Sequence, residues 1–149
     1  MVITSLPVAV LMQRRTLDHR WVDTAWSAAA VISNPAGHTT QQTLEHTDKI
    51  HLYLVPGLTL ELHRDENDGY FENWIAPEPK VFVMWRMQHE LAMPITASVS
   101  YGEGTRMLDS GESGDGVPMA PDIYQWLTDY LQAHYQPPER KRMKRSQSS

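Results

Sequence analysis

Cysteine is absent from these 149 residues. That excludes disulfides, thiolate zinc sites, thiolate nucleophiles and cysteine-held iron–sulfur clusters within the chain. Long apolar runs are absent as well. The stretch Leu6 to Met12, in "MVITSLPVAVLMQRR", has no basic residue before it and no small-residue cleavage pattern after it. It is also far shorter than the roughly 20 residues of a membrane span, so neither a secretory signal nor a span is predicted, and a soluble, cytoplasmic protein is expected. Basic charge is scarce over most of the chain. The net charge is −5, and five of the thirteen Lys and Arg residues (Arg140, Lys141, Arg142, Lys144 and Arg145) crowd into the end of the sequence. The acidic remainder repels phosphate, which leaves the tail as the one basic patch.

The length fits one domain with a real core, placed at 1–137, followed by a basic, disordered tail at 138–149. Strand signals dominate the first hundred residues. "LPVAVLM" (6–12), "TAWSAAAVIS" (24–33), "KVFVMWRM" (80–87) and "PITASVS" (94–100) read as strands, and "HTTQQTLEHTD" as a loop. "KIHLYLV" and "LTLELHR" both alternate in polarity, and Pro56-Gly57 between them predicts a hairpin turn. Asp68-Gly69 in "DENDG" predicts a second hairpin leading into "YFENWI". The glycines of residues 102–116 leave room only for a short, weak helix. "APDIYQWLTDYLQAHY" is the clear helix: Pro121 suits its first turn, and Ile123, Trp126, Leu127, Tyr130 and Leu131 form one apolar stripe before the Pro137-Pro138 stop. Together these predict an α+β fold, mainly an antiparallel sheet or partly open barrel, with one C-terminal amphipathic helix.

"LELHRDENDGYFENW" (60–74) holds the densest set of chemical groups. A calcium loop fails there, because setting Gly69 at the sixth place puts Arg64 at the first. His51 and His63, on neighbouring strands of the predicted hairpin, could face each other, but no metal ligand is assigned. No nucleophile motif or phosphate-cradling loop accompanies the cluster, so no catalytic residue is assigned and the bland reading is a solvated hairpin tip. As a binding surface the candidates are His63, Arg64, Asp65, Glu72, Trp74 and Arg86, with Arg64 and Arg86 as anchors for a phosphate. Core packing is the default for most of Trp21, Trp26, Trp74, Trp85 and Trp126, and one or two exposed beside the acidic hairpin would instead be interface anchors. The basic tail offers contacts to an acidic partner; specific nucleic-acid binding is not expected, because no aromatics interleave its charges.

The ordered set "LPVAVLMQRRTLDHRW", "LTLELHRDENDGYFENW", "PKVFVMWR", "PITASVSYGEGTRMLDSGE" and "VPMAPDIYQWLTDYLQAHYQPPERKR" resembles the proteobacterial family called domain of unknown function 3305, over roughly residues 5–145. What the resemblance implies is a setting, since such proteins tend to be encoded beside molybdenum-dependent formate dehydrogenase subunits and their maturation factors. The leading expectation is therefore a non-catalytic accessory or assembly factor for that enzyme. It would act by contact with the catalytic subunit or its maturation chaperone and carry no cofactor of its own. The alternative is a molybdopterin-handling protein or enzyme using His63, Arg64, Asp65 and Glu72. An RNA-binding regulator acting through the tail is the weaker third reading.

Overall fold

The computed structural model describes residues 1–16 and 24–136. Trp21, the Pro137-Pro138 stop and the tail residues Arg140, Lys141, Arg142, Lys144 and Arg145 lie outside the described residues. In chain order the elements are β1 (Val2–Thr16), β2 (Thr24–Ser33), β3 (Gln42–His46), β4 (Ile50–His63), a 3-10 turn (Arg64–Glu66), α1 (Asn67–Trp74), β5 (Lys80–Gln88), β6 (Leu91–Ser98), α2 (Tyr101–Asp109), β7 (Ser113–Pro118) and α3 (Pro121–His134). The strands form two open antiparallel sheets, ordered β2-β1-β4-β3 and β6-β5-β7. The fold is thus the expected antiparallel α+β arrangement; among the described residues it adds α1, where a hairpin was expected, and α2, where only a short, weak helix was allowed.

The largest departure lies in β4. Pro56-Gly57 makes no hairpin; residues 50–63 form one strand that pairs along its length with β1, and Gly57 is the extra residue of a bulge between the Leu58–Val8 and Pro56–Ala9 pairs. Its φ of +107° is a conformation glycine adopts freely. The bulge also switches which residues point inward. Before it the buried residues are His51, Tyr53 and Val55; after it they are Leu60 and Leu62, with Leu58 packed beside them. Simple alternation puts all the leucines of 52–62 on one face, but Leu52 and Leu54 are turned away from the core that receives Leu60 and Leu62. The predicted loop over 38–48 is likewise corrected in part, since β3 pairs with β4 as an edge strand with all five residues exposed.

Both sheets contribute to one apolar cluster. Val8, Val10, Met12, Tyr53 and Leu60 come from the first sheet and Val81, Val83 and Val117 from the second, with Ile123, Leu127, Tyr130 and Leu131 from α3. The stripe predicted for α3 is therefore its buried face. Two anchors join the layers. The Tyr53 hydroxyl donates to the Ala92 carbonyl at 2.6 Å, and the Asp115 carboxylate accepts from the Ala28 backbone N–H (2.9 Å) and from Trp85 Nε1 (2.8 Å). Burial pushes the Tyr53 phenol up to about 12, so it stays a donor at neutral pH. On the opposite side of β5, α2 lies against Phe82 at Gly104, where any Cβ would clash with the ring.

Candidate functional site

The segment expected to be a hairpin tip is instead the 3-10 turn followed by α1, and it rests on buried polar side chains. Asn67, Tyr70, Phe71 and Trp74 fall at i, i+3, i+4 and i+7, so one face of the helix turns inward. Asn67 and Asn73 are buried there with every polar group engaged. Asn73 Nδ2 donates to the carbonyls of Lys80 and Val99 (2.8 Å each), and its Oδ1 accepts from the Lys80 N–H (3.0 Å). Asn67 Nδ2 donates to the His134 carbonyl at the end of α3 (3.0 Å), while its Oδ1 accepts from the Tyr130 hydroxyl at 2.6 Å. The Tyr70 hydroxyl accepts from the His63 N–H at 2.8 Å, tying the helix back to β4. Glu66 and Asp68 sit in the first turns, where a helix N-terminus favours negative charge.

This anchoring sets α1 beside α3 and lines up four aromatic rings. Tyr135 lies 4.9 Å from Phe71, Phe71 lies 6.0 Å from Trp74, and Trp74 lies 5.9 Å from Tyr124 in a nearly parallel stack with 9° between planes. All four are partly buried, and Phe71, Trp74 and Tyr135 border a groove of about 170 Å³ completed by Thr128, Leu131 and Gln132. Thr128 holds the ladder in place, since its hydroxyl accepts from Trp74 Nε1 at 2.9 Å and donates to the Tyr124 carbonyl at 2.8 Å. At the other end the Tyr135 hydroxyl donates to Asp68 Oδ1 at 3.1 Å. Burial raises the Tyr135 pKa, and so do the Asp68 hydrogen bond and the negative charges of Asp68 and Glu72, which places both carboxylates at that end of the ladder.

The residues singled out from the sequence are divided by the fold. Trp74 is in the ladder and Glu72 projects beside it. His63 ends β4 with its Nε2 3.5 Å from Glu61, and Arg64 and Asp65 are exposed on the 3-10 turn, near enough to Tyr130 for their charges to act on its phenol. Arg86 is elsewhere. It lies six residues along β5 from Lys80, about 20 Å of extended strand, and its guanidinium is engaged by Glu112 at 3.1 and 3.2 Å. Arg86 is therefore already paired with a carboxylate where a phosphate anchor was expected. The expected facing of His51 and His63 is also overturned, because they belong to one continuous strand and stand about 40 Å apart along it. Among the described residues, no group of three His, Asp or Glu side chains is arranged for a metal ion.

Two other arrangements gather polar or apolar side chains in the manner of a site. Ser100, fully buried, donates from its hydroxyl to Glu66 Oε2 at 2.7 Å and accepts the Glu103 N–H at 3.1 Å. Glu103 in turn accepts from the Ser98 hydroxyl at 2.8 Å, and Ser98 Oγ accepts the Ser100 N–H. This is a helix cap extended through one extra hydroxyl, and among the described residues no imidazole is bonded to it to act as a base. The second is a groove of about 460 Å³ between α2 and the start of β5, walled by Phe82, Tyr101 and Leu108. Of its polar members, Asn73 is engaged by backbone and Lys80 lies 4.0 Å from Glu78.

Phe71, Tyr124 and Tyr135 were missed in the sequence because the ladder draws on two helices about fifty residues apart; the 67, 70, 71, 74 spacing was the available signal. No helix among the described residues is long and apolar enough to cross a membrane. No curated protein and no solved structure matches the chain. The family described as protein of unknown function (DUF3305) matches residues 7–145, nearly the whole length, and the chain belongs to it.

Proposed function

We propose that this chain is a cytoplasmic, non-catalytic accessory factor of a proteobacterial molybdenum-dependent formate dehydrogenase, and that it docks through the α1–α3 face onto the catalytic subunit or its maturation chaperone. The observation that carries the docking reading is the ladder Tyr135–Phe71–Trp74–Tyr124, rigidly supported from below and open above. Tyr and Trp are the side chains most enriched where binding energy concentrates, because they bury large area at small entropic cost. Identification of the partner rests on the setting that the family resemblance implies.

The test is affinity purification of the tagged protein from cells growing on formate, in wild-type form and as Trp74→Ala and Glu72→Lys. The dehydrogenase or its chaperone should co-elute with the wild type and be lost or strongly depleted with both variants. Recovery of the same proteins with all three forms overturns the docking face. Unchanged dehydrogenase activity and molybdenum content after deletion of the gene overturns the accessory role itself.

A further inference from the structure

The shape and charge of the α1–α3 groove say what kind of segment it takes. Three rings, Tyr135, Phe71 and Trp74, line it with centroid steps of 4.9 and 6.0 Å, a length that matches about three or four residues of polyproline II at about 3.1 Å each. A strip of stacked rings offers flat faces to an extended chain. Prolines fit such a strip well, because their rings pack on aromatic faces and the polyproline conformation is already formed before binding. That conformation leaves its backbone carbonyls free, and the Gln132 side chain, which lines the groove, is a donor for them.

Charge fixes the direction. Asp68 and Glu72 are exposed at the Tyr135 end, and neither forms an ion pair among the described residues. A cation arriving there meets two carboxylates and the face of an aromatic ring, a combination that favours Arg above Lys. We propose that the groove binds an extended, proline-bearing segment of the partner protein, with an Arg or Lys lodged between Asp68 and Glu72 at the Tyr135 end. This rests on the docking face already assigned and specifies the chemistry of what docks.

The probe is a short synthetic peptide of prolines and alanines headed by two arginines, titrated into the full-length protein and followed by amide and indole NMR shifts. The expected result is perturbation of the Trp74 indole N–H and of Gln132. Affinity should fall by about tenfold when glutamates replace the arginines, as two exposed charge pairs would give. Asp68→Asn with Glu72→Gln should weaken binding similarly and flatten its salt dependence. Both positions are exposed, so the fold is retained. Equal binding of the arginine and glutamate peptides, or of a peptide with glycine in place of proline, overturns the inference. Shifts confined to the α2–β5 groove also overturn it. Sequence 137–142, "PPERKR", has the same chemistry, so the titration is repeated on Arg140→Glu/Lys141→Glu/Arg142→Glu. Binding that emerges only in that variant assigns the groove to the chain's own tail and overturns the partner segment. Should the peptide fail while Trp74→Ala still abolishes co-purification, the docking face stands and only its proline-bearing ligand is lost.

Discussion

At Gly57 the backbone holds φ +107°, and a Cβ added there would meet nothing within 4 Å; at Gly69, inside α1, a Cβ would run into the Ser100 hydroxyl. Both glycines follow a turn-forming residue, and both stand where an isolated reading of the chain predicts a hairpin. One is glycine because of its own dihedral angle, the other because of a neighbour thirty-one residues away. Gly57 is a local adjustment within a strand whose pairing is fixed by β1. Gly69 is a point of contact that sets the distance between α1 and the buried cap of α2. The two sites therefore respond to the same changes in opposite ways.

Deletion is the harshest way to separate them. Removing Gly69 rotates Tyr70, Asn73 and Trp74 by about 100° relative to Asn67, withdrawing a fully buried ring and two buried amides from their partners. Loss of a buried aromatic costs about 3–5 kcal/mol and each stranded amide about 1–3 kcal/mol, against a total stability of roughly 5–15 kcal/mol for a domain. Cooperative unfolding in urea should be lost. Gly69→Ala is milder, at about 1–3 kcal/mol for an overpacked site. Its cost should shrink in the Ser100→Ala background, because the atom it strikes has gone. A double-mutant cycle that is additive would show that the contact with Ser100 is not what makes residue 69 a glycine.

Gly57 should behave otherwise. Gly57→Ala places an L side chain at a left-handed φ and should cost about 1–3 kcal/mol, with no rescuing partner, since nothing lies near the new Cβ. Deleting Gly57 should cost less than substituting it. Without the extra residue, Val55, Pro56 and Leu58 would still oppose Val10, Ala9 and Val8, and Leu60 and Leu62 would keep facing inward. A deletion variant within about 1 kcal/mol of the parent by chemical denaturation is the expected outcome, because the bulge adds no packing of its own. Collapse of the fold on deletion would mean that the twist introduced at the bulge is itself required.

These contrasts also explain what could be read from the sequence. The apolar stripe of α3 and the strands at 24–33 and 80–88 were legible, because their burial follows from side-chain hydrophobicity at a regular period. The strand content of 50–63 was legible but its continuity was not, since β1, a distant partner, decides whether Pro56-Gly57 turns or bulges. α1 was illegible for a different reason. Its inward face is held by Asn67 and Asn73, whose value lies in hydrogen bonds to His134, Lys80 and Val99 that no local pattern announces. Of the candidate surface, Trp74 lines the groove with Glu72 beside it, whereas Arg86 belongs to a separate ion pair with Glu112.

The parity switch at Gly57 has one more consequence, and it concerns pH. Because odd-numbered residues face inward before the bulge, His51 is buried, stacked 4.2 Å from His46 on β3 and opposite Arg14 on β1. Its pKa lies below the ordinary imidazole value, first because burial disfavours the cation and then because His46 and Arg14 add positive charge. The unfolded chain therefore takes up a proton at His51 more readily than the folded one. Stability from this group is fully present above the unfolded value of about 6.5, and it is lost as pH falls from there through the lower folded pKa. The effect should be the smallest of those considered, and largest at the β3 edge, where His46 meets His51. His51→Phe should flatten the urea midpoint between neutral and mildly acidic pH, and amide exchange in β3 should quicken on acidification in the parent but not in the variant. An unchanged pH slope in His51→Phe would mean that the bulge turns His51 inward without making its charge matter to the fold.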